Sequence, residues 1–119
     1  MAETIDTPRV EMDKEKGIFK ISGRSLPEDA VHFFAPLKEW LKQYVSSPNT
    51  STEFVFELDY FNSASAKQII IILSVLEGIV NIGKKIKVIW YYSKEDEVMQ
   101  DKGEEIKTMT SVPFELKVY

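Results

Sequence analysis

Segments with the two-residue alternation of β-strands take turns with segments of helical periodicity along the whole chain, and this order limits the fold more than any single motif. The first two strand-like segments flank Gly17 and predict a hairpin. Each later strand is separated from the next by a helix, an arrangement that favours parallel pairing. The order β-β-α-β-α-β-α-β therefore predicts an α/β fold: one domain over residues 1–119, with helices packed on a mixed, mostly parallel sheet of about five strands.

The element boundaries follow from periodicity and capping residues. The predicted strands are residues 10–13, 18–22, 54–58, 85–92 and 113–119. The predicted helices begin at Ser25, at residues 62–65 and at Lys94, and end near Tyr44, Val80 and Lys107. Ser25 and Glu28 form the pattern of a capping box for the first helix. Pro36 predicts a kink or break near residues 32–33, because proline removes a helical hydrogen bond.

Composition argues against several classes of function. The 119 residues include no cysteine and one histidine, His32, so we expect no thiolate site, no metal centre and no cofactor. The net charge of −4 and the lack of a basic cluster argue against nucleic-acid binding. The first ten residues do not have the pattern of a signal peptide, and the longest apolar run, residues 69–73, is too short to span a bilayer. We expect a cytoplasmic protein without membrane insertion.

The chain also lacks the residue sets of common enzymes. Residues 78–85 approach the phosphate-binding loop pattern, but Lys85 stands where serine or threonine should bind magnesium, and the segment ends a helix. No nucleophile and base pair is evident, so we predict that the protein is not an enzyme. An alternative function is small-ligand binding between the first helix and the sheet, where aromatic side chains could line a pocket. These residues are Phe33, Phe34, Trp40 and Tyr44.

The most informative segment runs from the end of the third strand into the second helix. Asn62, Ser63 and Ser65 all favour helix N-caps, so capping is their simplest role. A phosphate on one of these hydroxyls would also meet free backbone N–H groups and the positive end of the helix dipole. Lys67 lies one turn after Ser63 and offers a cation. This pattern makes Ser63, or alternatively Ser65, a candidate phosphorylation site.

A partner-binding surface is predicted beside this site. Most apolar residues of the second helix fall on one side, but Ile70 lies in the polar sector and Ile71 at its edge. Exposed apolar side chains in a cluster are typical of interaction sites. Tyr91 and Tyr92 end the fourth strand and are residue types that interfaces favour, although core packing is an equal alternative for them.

Several short motifs, specific only in combination, are spread over nearly the whole chain. They are residues 7–10, 21–25 and 27–28, Phe34, Pro36, Leu37, Trp40, residues 60–67 and 90–92, Asp96, Gly103 and Glu104. In these motifs the chain resembles the SiaC-type bacterial regulatory phosphoproteins, relatives of the STAS-domain anti-sigma-factor antagonists. The resemblance implies a small STAS-like domain.

The resemblance also implies a function. In that family a cognate serine/threonine kinase phosphorylates an Asn-Thr-Ser-Ser-x-Lys segment, a PP2C-type phosphatase removes the phosphate, and the unmodified form activates a diguanylate cyclase. Ser63 takes the position of the threonine, Asn62 and Lys67 match, and Ser65 matches the last serine, whereas Ala64 replaces the middle one. Tyr60 and Phe61 complete the expected switch loop, and the implied partners are the kinase, the phosphatase and the cyclase.

Overall fold

The structure, a computed structural model, describes residues 4–119. Its elements are β1 (Arg9–Asp13), β2 (Ile18–Ser25), α1 (Ala30–Ser46), β3 (Ser51–Phe61), α2 (Ser63–Asn81), β4 (Lys85–Tyr92), α3 (Glu97–Lys107) and β5 (Phe114–Val118). The sheet has the order β1-β2-β3-β4-β5, in which β1 is antiparallel to β2 and all other neighbours are parallel. The predicted fold class and element order are confirmed; residues 1–3 of the predicted domain lie outside the described residues.

The hairpin at the start of the chain forms as predicted. Asp13 pairs with Ile18, and Gly17 in the connecting turn has φ of +68°, a left-handed conformation that glycine adopts without steric cost. The hairpin adds β1 to one edge of the parallel sheet.

All three helices pack on one face of the sheet, and the opposite face carries charged pairs. Phe54, Phe56 and Trp90 alternate inward and join one core with residues of all three helices. On the open face Lys20 Nζ lies 2.9 Å from Glu57 Oε2, and Lys87 Nζ lies 3.1 Å from Glu115 Oε2. The hydrogen bond from Lys87 lowers the pKa of Glu115, and the same bond raises the pKa of Lys87. These ion pairs are exposed and contribute little to stability.

The start of α1 differs from the prediction. Asp29 is the N-cap and accepts a hydrogen bond from the His32 amide at 3.1 Å. Ser25 instead ends β2, paired with Phe61 of β3, so the predicted capping box is wrong. Of the predicted kink or break near residues 32–33, the break does not occur, because α1 runs through Pro36 to Ser46. Burial of one side of the helix against the sheet outweighs the hydrogen bond that proline removes.

The aromatic residues that would line a ligand pocket beside α1 contact one another instead. Phe34 and Tyr44 are buried in the core. Trp40 stacks on Tyr44 with ring centroids 5.3 Å apart, and both rings lie against Phe19. These contacts fill part of the space that a ligand would need, and a surface cavity of about 250 Å³ lined by Lys14, Trp40, Gln43 and Tyr44 remains beside α1.

α2 is the central helix of the core. The helical spacing of α2 predicts one apolar stripe, made of Ile69, Ile72, Leu73, Val75, Leu76, Ile79 and Val80. All of these residues are buried except Val75, which is half-buried, and Val80, which is exposed. Its 19 residues are long and apolar enough to span a membrane by length and composition, a test that core helices of folded domains also pass. Glu77 of α2 accepts hydrogen bonds from the Ser111 amide and the Thr110 hydroxyl, which lower the pKa of its carboxyl. These bonds fix the loop that follows α3 to the side of α2.

Candidate functional site

A β-bulge at the end of β3 sets the orientation of the residues that lead into α2. Gly23 pairs with Leu58 but Arg24 pairs with Tyr60, so β3 contains one extra residue at this point. The bulge shifts the alternation: Phe61 is buried, and Tyr60 is 43% exposed. Both residues therefore belong to β3 and not to the predicted loop. They fix the position at which α2 begins.

Asn62 is the N-cap of α2, as its residue type predicts. Its side-chain oxygen accepts a hydrogen bond from the Ser65 backbone amide at 2.9 Å, and the Asn62 backbone amide donates to the Ser25 carbonyl at 3.2 Å. The first intrahelical bond runs from the Ala66 amide to the Asn62 carbonyl. Ser63 and Ala64 thus supply the first two amides of α2, which precede the helical hydrogen-bond series.

The two candidate serines lie in opposite environments. Ser63 is exposed on the first turn of α2. Ser65 is 0% exposed, and its Oγ lies 2.8 Å from Ser25 Oγ and donates to the Ser25 carbonyl at 3.1 Å. A kinase needs access to the hydroxyl, so the geometry favours Ser63 over Ser65 as the acceptor. Ser65 and Ser25 instead tie the start of α2 to the end of β2.

We expect Ser65→Ala to lower the free energy of unfolding by about 1–2 kcal/mol, because it leaves the buried Ser25 hydroxyl without its partner. Urea unfolding monitored by circular dichroism measures this loss. Ser74→Ala is the matched control, since Ser74 is an exposed serine of the same helix whose hydroxyl donates a local bond to the Ile71 carbonyl. Equal stabilities of the two variants would contradict the assigned role of Ser65.

Ser63 stands between two surface cavities. One, of about 250 Å³, lies between α2 and α3, and we call it the α2–α3 groove; residues that line it include Ser63, Ala66, Ile70, Lys102, Ile106 and Met109. The other, of about 400 Å³, lies between the N-terminal turns of α1 and α2 and is lined by Glu28, Asp29, Ala64 and Lys67 among others. Most of the surface of the groove is apolar, although Lys102 and Glu105 also line it, whereas the second cavity carries the charged side chains of Glu28, Asp29 and Lys67. A group attached to Ser63 would therefore sit at the edge of an apolar surface.

Lys102 supplies a cation to the α2–α3 groove that the sequence analysis missed. Its Nζ donates to the Phe61 carbonyl at 3.3 Å and lies 4.5 Å from the Phe61 ring centroid and 5.1 Å from that of Tyr60. A signal for it exists in the sequence. Lys102 follows Met99 by three residues and precedes Ile106 by four, so it is a lysine on the apolar side of α3.

The residues of the predicted partner surface do not form one patch. Ile70 lines the α2–α3 groove with Ser63, and Ile71 is 40% exposed on the solvent side of α2. Tyr92 packs against the core. Tyr91 lies on the open face of the sheet, where its ring is 6.3 Å from that of Tyr119. The structure therefore joins Ile70 to the Ser63 site and separates Tyr91 from it.

Lys67 is exposed and makes no ion pair or side-chain hydrogen bond with any residue of the described range 4–119. Within the same range, no group of three histidine, aspartate or glutamate side chains is placed to hold a metal ion. The functional groups of the site are thus a free hydroxyl, two lysines and an apolar groove.

The family of the chain follows from comparison with known proteins. The whole chain, residues 1–119, matches the family described as SiaC family regulatory phosphoprotein. The chain belongs to this family. An uncharacterised protein of Pseudomonas aeruginosa (strain UCBPP-PA14) is 26% identical over 116 residues, which cover 98% of this chain and 92% of that protein.

Solved structures of the SiaC family share the fold. The crystal structure of the Pseudomonas aeruginosa diguanylate cyclase SiaD in complex with its activator SiaC matches with a TM-score of 0.91 and 26% identity, over 98% of this chain and 96% of that one. The structure of apo-SiaC from the same organism matches with a TM-score of 0.89 and 25% identity, over 98% and 95% of the two chains. The predicted family membership is confirmed, and SiaC itself is an activator that forms a complex with a diguanylate cyclase.

Proposed function

We propose that this SiaC family member is a non-catalytic, cytoplasmic adaptor of a bacterial partner-switching pathway, which binds and activates a diguanylate cyclase while Ser63 is unmodified. The observation that carries the proposal is the position of Ser63: an exposed hydroxyl at the edge of an apolar groove, beside a second serine that is fully buried. Membership of a family of regulatory phosphoproteins supports it, as does the complex of SiaC with a diguanylate cyclase.

The proposed switch needs two further partners. A serine/threonine kinase transfers the terminal phosphoryl group of ATP to Ser63 Oγ, which loses its proton, and ADP leaves. A PP2C-type phosphatase hydrolyses the phosphoserine to serine and inorganic phosphate. Asn62 fixes the helix start during this cycle, because its cap bond to the Ser65 amide involves neither the Ser63 side chain nor its phosphate.

The effect of phosphate on cyclase binding follows from the surroundings of Ser63. Docking of the cyclase on the α2–α3 groove would bury Ile70 together with the rim at Ser63. Phosphate adds a charge of about −1.5 to −2 at neutral pH, and removing water from such a charge in an apolar interface is costly. Phosphorylation therefore prevents docking without unfolding the domain, and the phosphatase restores it.

Phosphopeptide mass spectrometry of the protein from its native host tests the switch. We expect phosphate on Ser63, lost after phosphatase treatment, and none on Ser65. The unphosphorylated Ser65 in the same peptide is the internal control, since the two hydroxyls are two residues apart and differ in burial. Phosphate on neither serine across growth conditions would overturn the proposal of a phosphorylation switch and leave a constitutive activator.

The docking surface is tested by Ile70→Asp. We expect this variant to lose cyclase affinity by about tenfold or more, because it places a carboxylate in the apolar groove. Isothermal titration calorimetry with the purified cyclase measures the loss. Asn81→Asp adds the same charge at the exposed far end of α2 and should bind as the wild type does. An unchanged affinity for a folded Ile70→Asp variant would exclude the groove as the docking surface.

A further inference from the structure

The partners that hold Lys102 in the unmodified protein, among residues 4–119, are weak and neutral. Its ammonium group donates to one backbone carbonyl, that of Phe61, and faces the rings of Phe61 and Tyr60. Within residues 4–119 it forms no ion pair with a carboxylate, although Glu105 lies one helical turn further along α3. Such contacts are weaker than a bond between a lysine and an anion. Lys102 is thus free to exchange them for a stronger partner.

We propose that Lys102 receives the phosphate of phosphorylated Ser63, so that an ion pair spans the α2–α3 groove and closes it. The inference rests on the proposed function and adds the residue that reads the modification. Phe61, whose carbonyl Lys102 already binds, stands two residues before Ser63, and the Lys102 and Ser63 side chains line the same groove. The flexible lysine stem needs only to swing from the carbonyl to the phosphate.

Lys67 is the other lysine near Ser63, and its surroundings make it a weaker partner for the phosphate than Lys102. Lys67 lies on the opposite side of Ser63, in the cavity that also contains Glu28 and Asp29. It is exposed, so solvent and these carboxylates weaken its attraction for an anion. Lys102 is half-buried, so an ion pair is screened less there. The groove that it lines also contains the carboxylate of Glu105, whereas two carboxylates, those of Glu28 and Asp29, lie beside Lys67. The phosphate therefore turns toward α3 and not toward α1.

Closure of the groove gives phosphorylation a second effect besides added charge. The two charged groups lie at one end of the groove, because Lys102 contacts Phe61 and Ser63 begins α2; the apolar side chains of Ile70, Ile106 and Met109 line the groove further along both helices. A bridge from Ser63 to Lys102 crosses the groove at this end and restricts the access of a partner to these apolar side chains. The phosphate has its counter-ion within the same chain, so the modified domain stays folded while its docking surface is blocked.

A double-mutant cycle with genetically encoded phosphoserine at position 63 tests the ion pair without any kinase. Melting temperatures are measured for the wild type and for Lys102→Met, each with and without the phosphate. We expect the change in melting temperature that the phosphate causes to be about 4 °C more positive in the wild type than in Lys102→Met. This difference should shrink in about 1 M NaCl. Lys102→Arg, which keeps the charge, should retain the coupling.

Lys67→Met is the matched control and should leave the effect of the phosphate almost unchanged. If Lys102→Met lowers the melting temperature of both forms equally, Lys102 has only a structural role and the proposal fails. A larger coupling for Lys67→Met would assign the phosphate to Lys67 instead and overturn it as well. Absence of Ser63 phosphate in the host would contradict the proposed function but not this result, which is obtained on the encoded phosphoprotein.

A second measurement needs no variant at Lys102. Phosphorus NMR of the wild-type phosphoprotein should show the second ionisation of the phosphate at lower pH in the folded protein than in urea, because Lys102 stabilises the dianion. The charged groups around Ser63 that contribute are Lys67 of α2, Lys102 and Glu105 of α3, and Glu28 and Asp29 before α1. Identical titrations in the folded and unfolded protein would overturn the proposal even if Lys102→Met does not fold.

Discussion

Ser63→Asp is expected to weaken binding to the diguanylate cyclase by about tenfold or more, whereas Ser63→Ala should bind within about twofold of the wild type. Aspartate places a carboxylate at the edge of the α2–α3 groove, and its loss of hydration on docking costs about 1–3 kcal/mol. Alanine removes only an exposed hydroxyl. Encoded phosphoserine, with a larger charge than aspartate, should reduce the affinity further. Calorimetric titration of the purified cyclase gives all four affinities.

Ala64→Asp is the matched control for this prediction. Ala64 is the next residue of the same helical turn, is exposed, and lines the cavity beside α1 but not the α2–α3 groove. The variant adds the same charge to the same helix terminus, so it reproduces the interaction with the helix dipole. We expect it to bind as the wild type does. A loss equal to that of Ser63→Asp would show a general charge effect, and wild-type affinity for both would contradict the proposed switch.

Features of the fold that depend on neighbours in the sequence could be predicted. The apolar stripe of α2 follows from spacing alone, because residues three and four apart share one side of a helix. Asn62 could be placed as a cap because its side chain bonds to the amide three residues later. The alternation of helical and strand-like segments likewise fixes the order of the elements. The stripe and the cap each depend on residues that lie within one or two helical turns of each other.

Features that depend on distant residues could not be predicted in the same way. The capping box at Ser25 has the right local pattern, but pairing with β3 extends β2 to Ser25, and the Ser25 hydroxyl contacts Ser65, 40 residues away. Lys102 reaches the Phe61 carbonyl across 41 residues. The exposure of Tyr60 and the burial of Phe61 result from a bulge that appears only when two strands pair. The candidate site is therefore a property of the packed sheet and not of the segment that contains Ser63.

Gly103→Ala is expected to lower the free energy of unfolding by about 1–3 kcal/mol, although alanine is the better helix former. A Cβ at position 103 would lie 2.5 Å from Cδ1 and 2.6 Å from Nε1 of Trp90, and 3.0 Å from Cδ2 of Leu116. Trp90 has little room to move, since it is buried, contacts the Phe61 ring edge to face at 5.7 Å, and donates from Nε1 to the Met99 carbonyl at 3.1 Å. The cost of moving either Trp90 or α3 exceeds the gain in helix propensity.

The same substitution should also disturb the candidate site, because Gly103 directly follows Lys102 on α3. If α3 moves away from β4 to make room for the methyl group, Lys102 moves with it and the α2–α3 groove widens. Glu104→Ala is the control: Glu104 is the next residue of α3 and is exposed, so its loss should change stability by less than about 0.5 kcal/mol. Urea unfolding of both variants measures the difference. If Gly103→Ala is as stable as Glu104→Ala, the Trp90 side chain shifts to make room for the methyl group at little cost. Close packing of α3 on Trp90 would then not determine the position of Lys102.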